Sequence, residues 1–333
     1  MNRLLVTGGA GFIGSNFIRW MLRKYPDLQI VNLDALTYAG NLENLRDIEK
    51  APRYTFVHGN ICNPDDVAKA MAGCDLVINF AAETHVDRSI HEAGAFVDTD
   101  VRGTFVLLEA ARRHNIARFL HISTDEVYGS IEVGSFRETD PLNPSSPYSA
   151  SKAGGELLAH SYFVTYGMPV LITRSANNFG PYQYPEKLIP LFVTNAIDNK
   201  PLPLYGDGKN VRDWLYVEDQ VEALDLVLQK GITGEVYNIG AGNEEMNITV
   251  TKSVLKLLGK SENLIQPVKD RLGHDRRYSV ATDKIRALGW EPRHKFQEGL
   301  EKTVRWYVEN EAWWRAVKEK QAAYQEWYKK HYG

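Results

Sequence analysis

The chain has 333 residues, and its 39 Lys plus Arg against 42 Asp plus Glu give a formal charge of −3. Apolar residues make up 44% and charged residues 24%, an ordinary globular balance that lacks the basic footprint of a nucleic-acid binder. Membrane and disulfide classes are excluded as well: no run approaches the roughly 18 uninterrupted apolar residues of a span, and Cys62 and Cys74 are the only cysteines.

The opening MNRLLVTGGAGFIGSNF is not read as a signal segment, because glycines interrupt it where an apolar stretch should run. Two cysteines outside any C-x-x-C pair point to a reducing, cytoplasmic compartment. Taken in chain order, short β-branched runs alternate with helical patterns. Arg3–Thr7 predicts a strand and Phe12–Lys24 a helix; strands follow at Ile30–Asp34 and Tyr54–His58, then a helix over Asp65–Met71. A strand at Asp75–Ala81, a long helix over Phe96–His114, a strand at Arg118–Thr124, a helix over Tyr148–Tyr166 and a strand at Pro169–Arg174 continue the alternation. LVINF and FLHIS are apolar without a period of two, as strands covered on both faces are. The pattern predicts an α/β fold, a doubly wound Rossmann-type parallel sheet with a smaller C-terminal substrate-binding lobe.

After Ser175 the texture changes. Pro181, Pro185, Pro190, Pro201 and Pro203 punctuate a loop-rich stretch, and Glu235–Gly240 reads as one more strand returning to the sheet. A prior of about 150 residues per domain suggests two units. These are a nucleotide-binding domain over 1–175, rejoined by about 212–240, and a lobe over 176–211 and 241–333. Trp306, Trp313, Trp314 and Trp327 in the tail read as amphipathic helix packing, with partner binding as the lesser option.

Gly8, Gly11 and Gly14 form G-x-x-G-x-x-G between the first strand and its helix. Glycines there permit a tight turn, a close approach to a pyrophosphate and helix–strand packing, and the helix N-terminus offers free N–H donors. Asp34 closes the second strand 20 residues past Gly14, where a carboxylate can accept from ribose hydroxyls and repel a 2′-phosphate. NAD is therefore expected over NADP. Asn60 and Ile61 are expected beside the adenine, the Asn60 amide oxygen accepting from its amine.

Tyr148 and Lys152 stand at i and i+4, on one face of a helix. Lys152 is expected to lower the phenol pKa, making Tyr148 a base for a sugar hydroxyl. Thr124, Asp125 and Glu126 follow at the carboxyl end of the fifth strand. Two adjacent carboxyls exceed what epimerisation needs, whereas eliminating water needs one group to take a carbon-bound proton and another to protonate the leaving hydroxyl. His85 and His121 flank these motifs; no ligand-spaced cluster supports a metal, and His121 reads as core packing.

The glycine loop, Asp34, Thr124, Tyr148 and Lys152 together resemble the extended short-chain dehydrogenase/reductase family. Within it, FAAETHVDRSI (Phe80–Ile90), HISTDEVYG (His121–Gly129), SPYSASKA (Ser146–Ala153), NNFGPYQYPEKLIPL (Asn177–Leu191), RDWLYVEDQ (Arg212–Gln220) and DRLGHDRRY (Asp270–Tyr278) are similar to the dTDP-glucose 4,6-dehydratases. Departures are Asn60 where Asp is usual, Thr84 for Ser, Leu272 for Pro, and Ala176 and Phe179 within the commoner SNNYG.

The resemblance implies a lyase that dehydrates dTDP-glucose to its 4-keto-6-deoxy form through tightly bound NAD, an early step of deoxysugar biosynthesis such as that of rhamnose. The alternatives are a UDP-sugar 4,6-dehydratase, a 4-epimerase or a decarboxylase of the same family, and, more remotely, a non-catalytic nucleotide sensor. Thr124, Asp125, Glu126, Tyr148 and Lys152 carry the chemistry. NAD falls to Gly8, Gly11, Phe12, Ile13 and Gly14, to Asp34, Ala35, Leu36 and Thr37, and to Asn60 and Ile61. Phe80, Ala81, Ala82, Thr84, Thr99 and Asn178 complete that site with Tyr148 and Lys152. The sugar nucleotide falls to Thr84, Thr124, Asn177, Lys187 and Leu188, then to Pro203, Leu204, Tyr205, Arg212 and Asn247. Asp270, Arg271, Leu272, Gly273 and His274 close it, although KDRLGHDRR reads equally as a solvated loop. A homodimer is implied through a four-helix bundle of Phe96–His114 and Ala153–Tyr166, with no nucleic acid, membrane or metal.

Overall fold

The computed structural model describes residues 2–320 and 326. Seven parallel strands form the main sheet: β1 (Arg3–Thr7), β2 (Gln29–Asp34), β3 (Tyr54–His58), β4 (Leu76–Asn79), β5 (Arg118–Thr124), β6 (Val170–Ser175) and, past three others, β10 (Val236–Ile239). Their order is β10-β6-β5-β4-β1-β2-β3. Leu5 of β1 pairs with Val31 on one side and Val77 on the other. The order reverses between β1 and β4, so a crevice opens at the carboxyl ends of those strands, where such sheets bind ligands.

Both faces of the sheet are buried, as the unbroken apolar runs predict. Leu4, Val6, Ile30 and Ile78 pack with Phe17, Ile18 and Met21 of helix Phe12–Lys24 and with Val221, Leu224 and Val227 of helix Val217–Lys230. Leu5, Val31, Val77 and Phe119 point the other way, onto Val67, Leu107, Leu108 and Ala159. Each such side chain contributes about 1.5–3 kcal/mol when fully buried, so the sheet is the rigid floor on which the site stands.

The remaining strands build the lobe above the crevice. β7 (Asn177–Phe179), β9 (Val211–Tyr216) and β11 (Glu244–Met246) form a three-stranded sheet in the order β11-β9-β7, and β8 (Leu202–Tyr205) pairs in parallel with β12 (Ile265–Val268). Their core joins Phe179, Phe192, Trp214, Leu300, Tyr307 and Trp314. The tail packs as amphipathic helices over Phe296–Glu309 and Glu311–Lys320. Trp314 is buried, and the Trp313 indole donates to Asn44 Oδ1 at 2.9 Å, tying the tail back to the first half of the chain. Trp327 lies outside the described residues.

Two helices differ in an informative way. Pro147–Tyr166 is a regular helix whose start is set by Ser146 and Ser149 capping one another, with Pro147 at the first position, and whose end is Gly167 at φ 64°. The stretch expected as one helix over Phe96–His114 is helical to Arg113 but not uniform: an α-helical turn over Ala93–Phe96 runs without a break into a π-helical segment over Val97–Gly103 and an α-helix over Thr104–Arg113. The Thr104 hydroxyl donates to the Asp100 carbonyl at 2.7 Å, and that carbonyl sits where a Cβ on Gly155 would come within 2.4 Å of it. The close crossing allowed by Gly155 and the widened turn together sink Asp100 between the two helices.

Candidate active site

The crevice holds a cavity of about 300 Å³, and a second cavity of about 150 Å³ adjoins it under the lobe. Glu126, Asn177, Glu186 and Lys187 line both. The glycine loop forms one wall of the larger. Gly8 has φ +68°, and a Cβ there would come within 2.7 Å of the Ala81 nitrogen; one on Gly14 would lie 2.5 Å from the Gly8 carbonyl. No larger residue fits either place, and the space above the loop stays open for a flat backbone approach. Asp34 is buried, and its two oxygens accept from the Ala10 and Leu36 backbones at 2.8 Å each. It therefore serves the loop as well as the cavity. Burial raises its pKa, with both backbone donors and His58 opposing.

Of the residues assigned to NAD, all but one line this cavity. Leu36 lies outside the lining and contributes the backbone donor to Asp34. Asn60 is in the lining, but its amide oxygen already accepts from the Cys62 nitrogen at 2.8 Å, so an adenine amine would share that oxygen. Among the described residues, buried Asn178 Oδ1, Asn177 Oδ1 and Ser123 Oγ find no hydrogen-bond partner. Such unsatisfied atoms, with the steric demand at Gly8 and Gly14, fit a dinucleotide rather than an apolar guest.

At the far end stand the acid–base groups. Asp125 is buried, and burial, reinforced by the neighbouring charge of Glu126, pushes its carboxyl up to about 8. Both causes favour the protonated acid. Thr124 Oγ1 lies 3.4 Å from Asp125 Oδ1 and accepts from the Asp125 nitrogen at 3.3 Å.

One expectation fails here. Tyr148 is not acidified: burial, followed by the charges of Glu126 and Asp100, holds its phenol well above the usual range, against a hydrogen bond from Thr124. Lys152 does line the same cavity, and its ammonium donates to the Ile122 carbonyl at 2.6 Å; burial lowers its pKa, with the charges of Asp100 and Glu156 opposing. The shared helix face is as expected; burial and the charges of Glu126 and Asp100, which raise the phenol, are invisible in a four-residue spacing. His121 is neutral and buried, its pKa lowered by burial and by Lys152, beside Asn79 at 3.4 Å.

Lys187, Leu188, Pro203, Leu204, Tyr205, Arg212, Asn247, Arg271 and His274 line the smaller cavity with Asn177. Thr84 and Thr124 line the larger. The loop read as either solvated or phosphate-binding divides. Arg271 and His274 turn inward, whereas Leu272 is 75% exposed and Asp270 and Gly273 lie outside the lining. Asp270 instead holds His274 through Nδ1, while burial and the charge of Arg271 lower that imidazole to about 4. Arg276 and Arg277 pair outward with Asp207 and Glu244. Two guanidiniums and a lysine are the donors this cavity offers an anion, and Asp87, Glu126 and Glu186 line it as well, with Asp87 3.6 Å from Arg271. Among the described residues no group of three His, Cys, Asp or Glu side chains could hold a metal ion.

The profile of the GDP-mannose 4,6 dehydratase family matches residues 5–303. The chain belongs to this family. A dTDP-glucose 4,6-dehydratase from Streptomyces niveus is 52% identical, over 95% of this chain and 96% of its own. The low-salt glycan biosynthesis protein Agl12 of Haloferax volcanii is 54% identical, over 92% and 98%. Among solved structures, DesIV, a dTDP-glucose 4,6-dehydratase from Streptomyces venezuelae with NAD bound, matches with a TM-score of 0.93 and 52% identity, covering 95% of this chain and all of that one.

Several residues of this dehydratase-family site escaped assignment from sequence, among them Glu83, Glu186 and, behind the lining, Tyr278. Glu83 lines the larger cavity, its carboxyl raised to about 7 by burial and by Asp100. Glu186 is buried where the cavities meet, held by Arg88 Nε at 3.2 Å. Tyr278 lies behind Glu126, 3.5 Å from its Oε2. All three fall inside the quoted family motifs, and a glutamate beside Lys187 was the available signal.

Proposed function

We propose that the chain converts dTDP-glucose to dTDP-4-keto-6-deoxyglucose. The carrying observation is that Asp125 is buried next to Glu126, both lining one cavity with Tyr148, and that burial and Glu126 raise the Asp125 pKa. An epimerase has no work for that acid. NAD, when bound, accepts the C4 hydride and later returns it to C6, and its cationic ring supplies the positive charge that a Tyr148 phenolate needs. The glycine loop, Asp34 and Lys152 hold it, and the charge of Asp34 disfavours a 2′-phosphate.

Tyr148 takes the proton of the 4-hydroxyl while Thr124 hydrogen-bonds the 4-oxygen. The ketone then acidifies the C5–H bond, and Glu126 takes that proton. Asp125 protonates the C6 hydroxyl, which leaves as water, and Glu126 finally returns a proton to C5. Two neighbouring carboxyls favour this division, since one charge discourages the second. Lys187, Arg212 and Arg271 hold the diphosphate.

We further propose the two-domain division drawn from the sequence, a cytoplasmic location, and a homodimer through the helices around Thr104–Arg113 and Pro147–Tyr166. Phe105, Leu157 and Val164 on these helices are exposed apolar side chains, which supports pairing. Among the described residues no helix is long and apolar enough to cross a membrane.

The test is incubation with dTDP-glucose followed by mass measurement. A product lighter by one water is expected; an isomer of unchanged mass would mean epimerisation and sink the reading.

A further inference from the structure

Behind Glu126 a hydrogen-bonded chain leads out of the cavity. The Tyr278 phenol donates to Asp275 Oδ2 at 2.7 Å and stands 3.5 Å from Glu126 Oε2. The exposed Ser145 hydroxyl donates to the same Asp275 oxygen. Tyr278 is buried, with the Arg212 guanidinium 4.2 Å above its ring. Arg212 Nη2 and Asn210 Nδ2 donate to the Asp275 carbonyl at 3.0 and 3.1 Å, which pins the half-buried aspartate in place. The phenol is thus fixed between one carboxylate inside the site and another that reaches the surface. No step assigned so far uses it.

We propose that Glu126, Tyr278 and Asp275 form a proton wire that exchanges the C5 proton with solvent during each turnover. The proposal rests on the reading of Glu126 as the C5 base. When Glu126 takes the C5 proton, the C–H electron pair forms the C5–C6 double bond as the C6 hydroxyl leaves with the proton of Asp125. Protonated Glu126 then gives its proton to the Tyr278 oxygen while the phenol's own proton passes to the Asp275 carboxylate. One O–H bond breaks and one forms at the phenol, which is neutral before and after. Asp275 releases its proton to water beside Ser145. The reverse sequence, begun by a solvent proton, reloads Glu126 before it reprotonates C5.

The 3.5 Å gap is long for an O–H···O bond, but an ionised Glu126 has no proton to offer the phenol oxygen. Once protonated it becomes a donor, and catalytic contacts commonly tighten at that stage. Burial, with the charges of Glu126 and Asp275, also holds the phenol well above its usual pKa, which suits a relay that never ionises.

The experiment is turnover of dTDP-glucose by the holoenzyme in D₂O, with the isotope at C5 of the product read by NMR. Wild type should give a product one water lighter that carries deuterium at C5. Tyr278→Phe keeps the ring under Arg212 and removes the hydroxyl; its product should retain the substrate's protium. Asp275→Asn can still accept the phenol's hydrogen bond but cannot take its proton, and should also give protium at C5. Structural damage alone would slow turnover without changing which isotope C5 carries. Wild-type deuterium content in either variant overturns the wire, as does protium at C5 in the wild type. A wild type that releases no dehydrated product overturns the dehydratase reading first, and the wire with it.

Discussion

Asp125 shows how burial and one neighbour convert an ordinary carboxyl into an acid. Its carboxyl, pushed up to about 8 by burial and by Glu126, keeps its proton when folded, whereas an unfolded aspartate loses it near pH 4. Between those values the folded chain binds the extra proton, so this residue makes stability fall as pH rises from about 4 to about 8. Asp125→Asn removes that slope. Its melting temperature should gain on wild type between pH 5 and pH 8, by at least about 2 °C at the upper end. A gap that stayed constant across this range would mean that Asp125 ionises as freely folded as unfolded. The same substitution should lower dehydration about 10²–10⁴-fold, because an amide cannot protonate the leaving hydroxyl.

Helix Pro147–Tyr166 carries Tyr148 and Lys152, and the π-helical turn Val97–Gly103 carries Asp100, so the contact between them sets the electrostatics of the base. Asp100 Oδ2 accepts from Ser151 at 2.6 Å and Oδ1 from the Glu83 nitrogen at 3.1 Å. This one carboxylate ties both elements to the cavity wall. Gly155 sets the separation, since a methyl there would press to 2.4 Å against the Asp100 carbonyl. Gly155→Ala should therefore push the helices apart and weaken both NAD binding and the fold. Gly94→Ala is its control: a Cβ at that exposed helical position meets nothing within 4 Å. It should be neutral or stabilise by up to about 1 kcal/mol, since glycine is the poorer helix former. Thermal melts and NAD titrations of the two variants check the contrast, and equal behaviour would refute it.

For the whole molecule, the same helices expose an apolar strip on the side away from the sheet. Leu157 is 58% exposed and Val164 is 67% exposed, both on the helix that carries Lys152. Leu157 and Val164 are seven apart, so they share a face, the spacing of a helix that packs on another helix. A dimer at micromolar concentration is expected by sedimentation. The double substitution Leu157→Arg and Val164→Glu should give a monomer that still melts cooperatively, because neither side chain supports the core. A wild-type monomer, or a double variant that remains dimeric, would remove this surface from the assembly.

The amino-acid sequence by itself determined the elements and the cofactor loop, because those depend on local physics. β1, β3, β5 and the first helix are bounded where apolar runs, glycines and caps put them, and the fingerprint from Gly8 to Asp34 needs only a strand, a turn and a helix in succession. Asp125 and Glu126 were legible for the same reason, as neighbours in the chain. Only the tertiary structure decided the electrostatics. Burial of Tyr148 and the charges of Glu126 and Asp100, 22 and 48 positions away in the chain, raise its phenol rather than lower it. Asp100 of the π-helical segment reaches helix Pro147–Tyr166 only because Gly155 leaves room for its carbonyl. Leu36 turned away from the cavity and Leu272 to solvent because a loop's outward and inward faces follow from what it packs on. Charge and burial act through space, and distances in space are set by the packing of the whole chain.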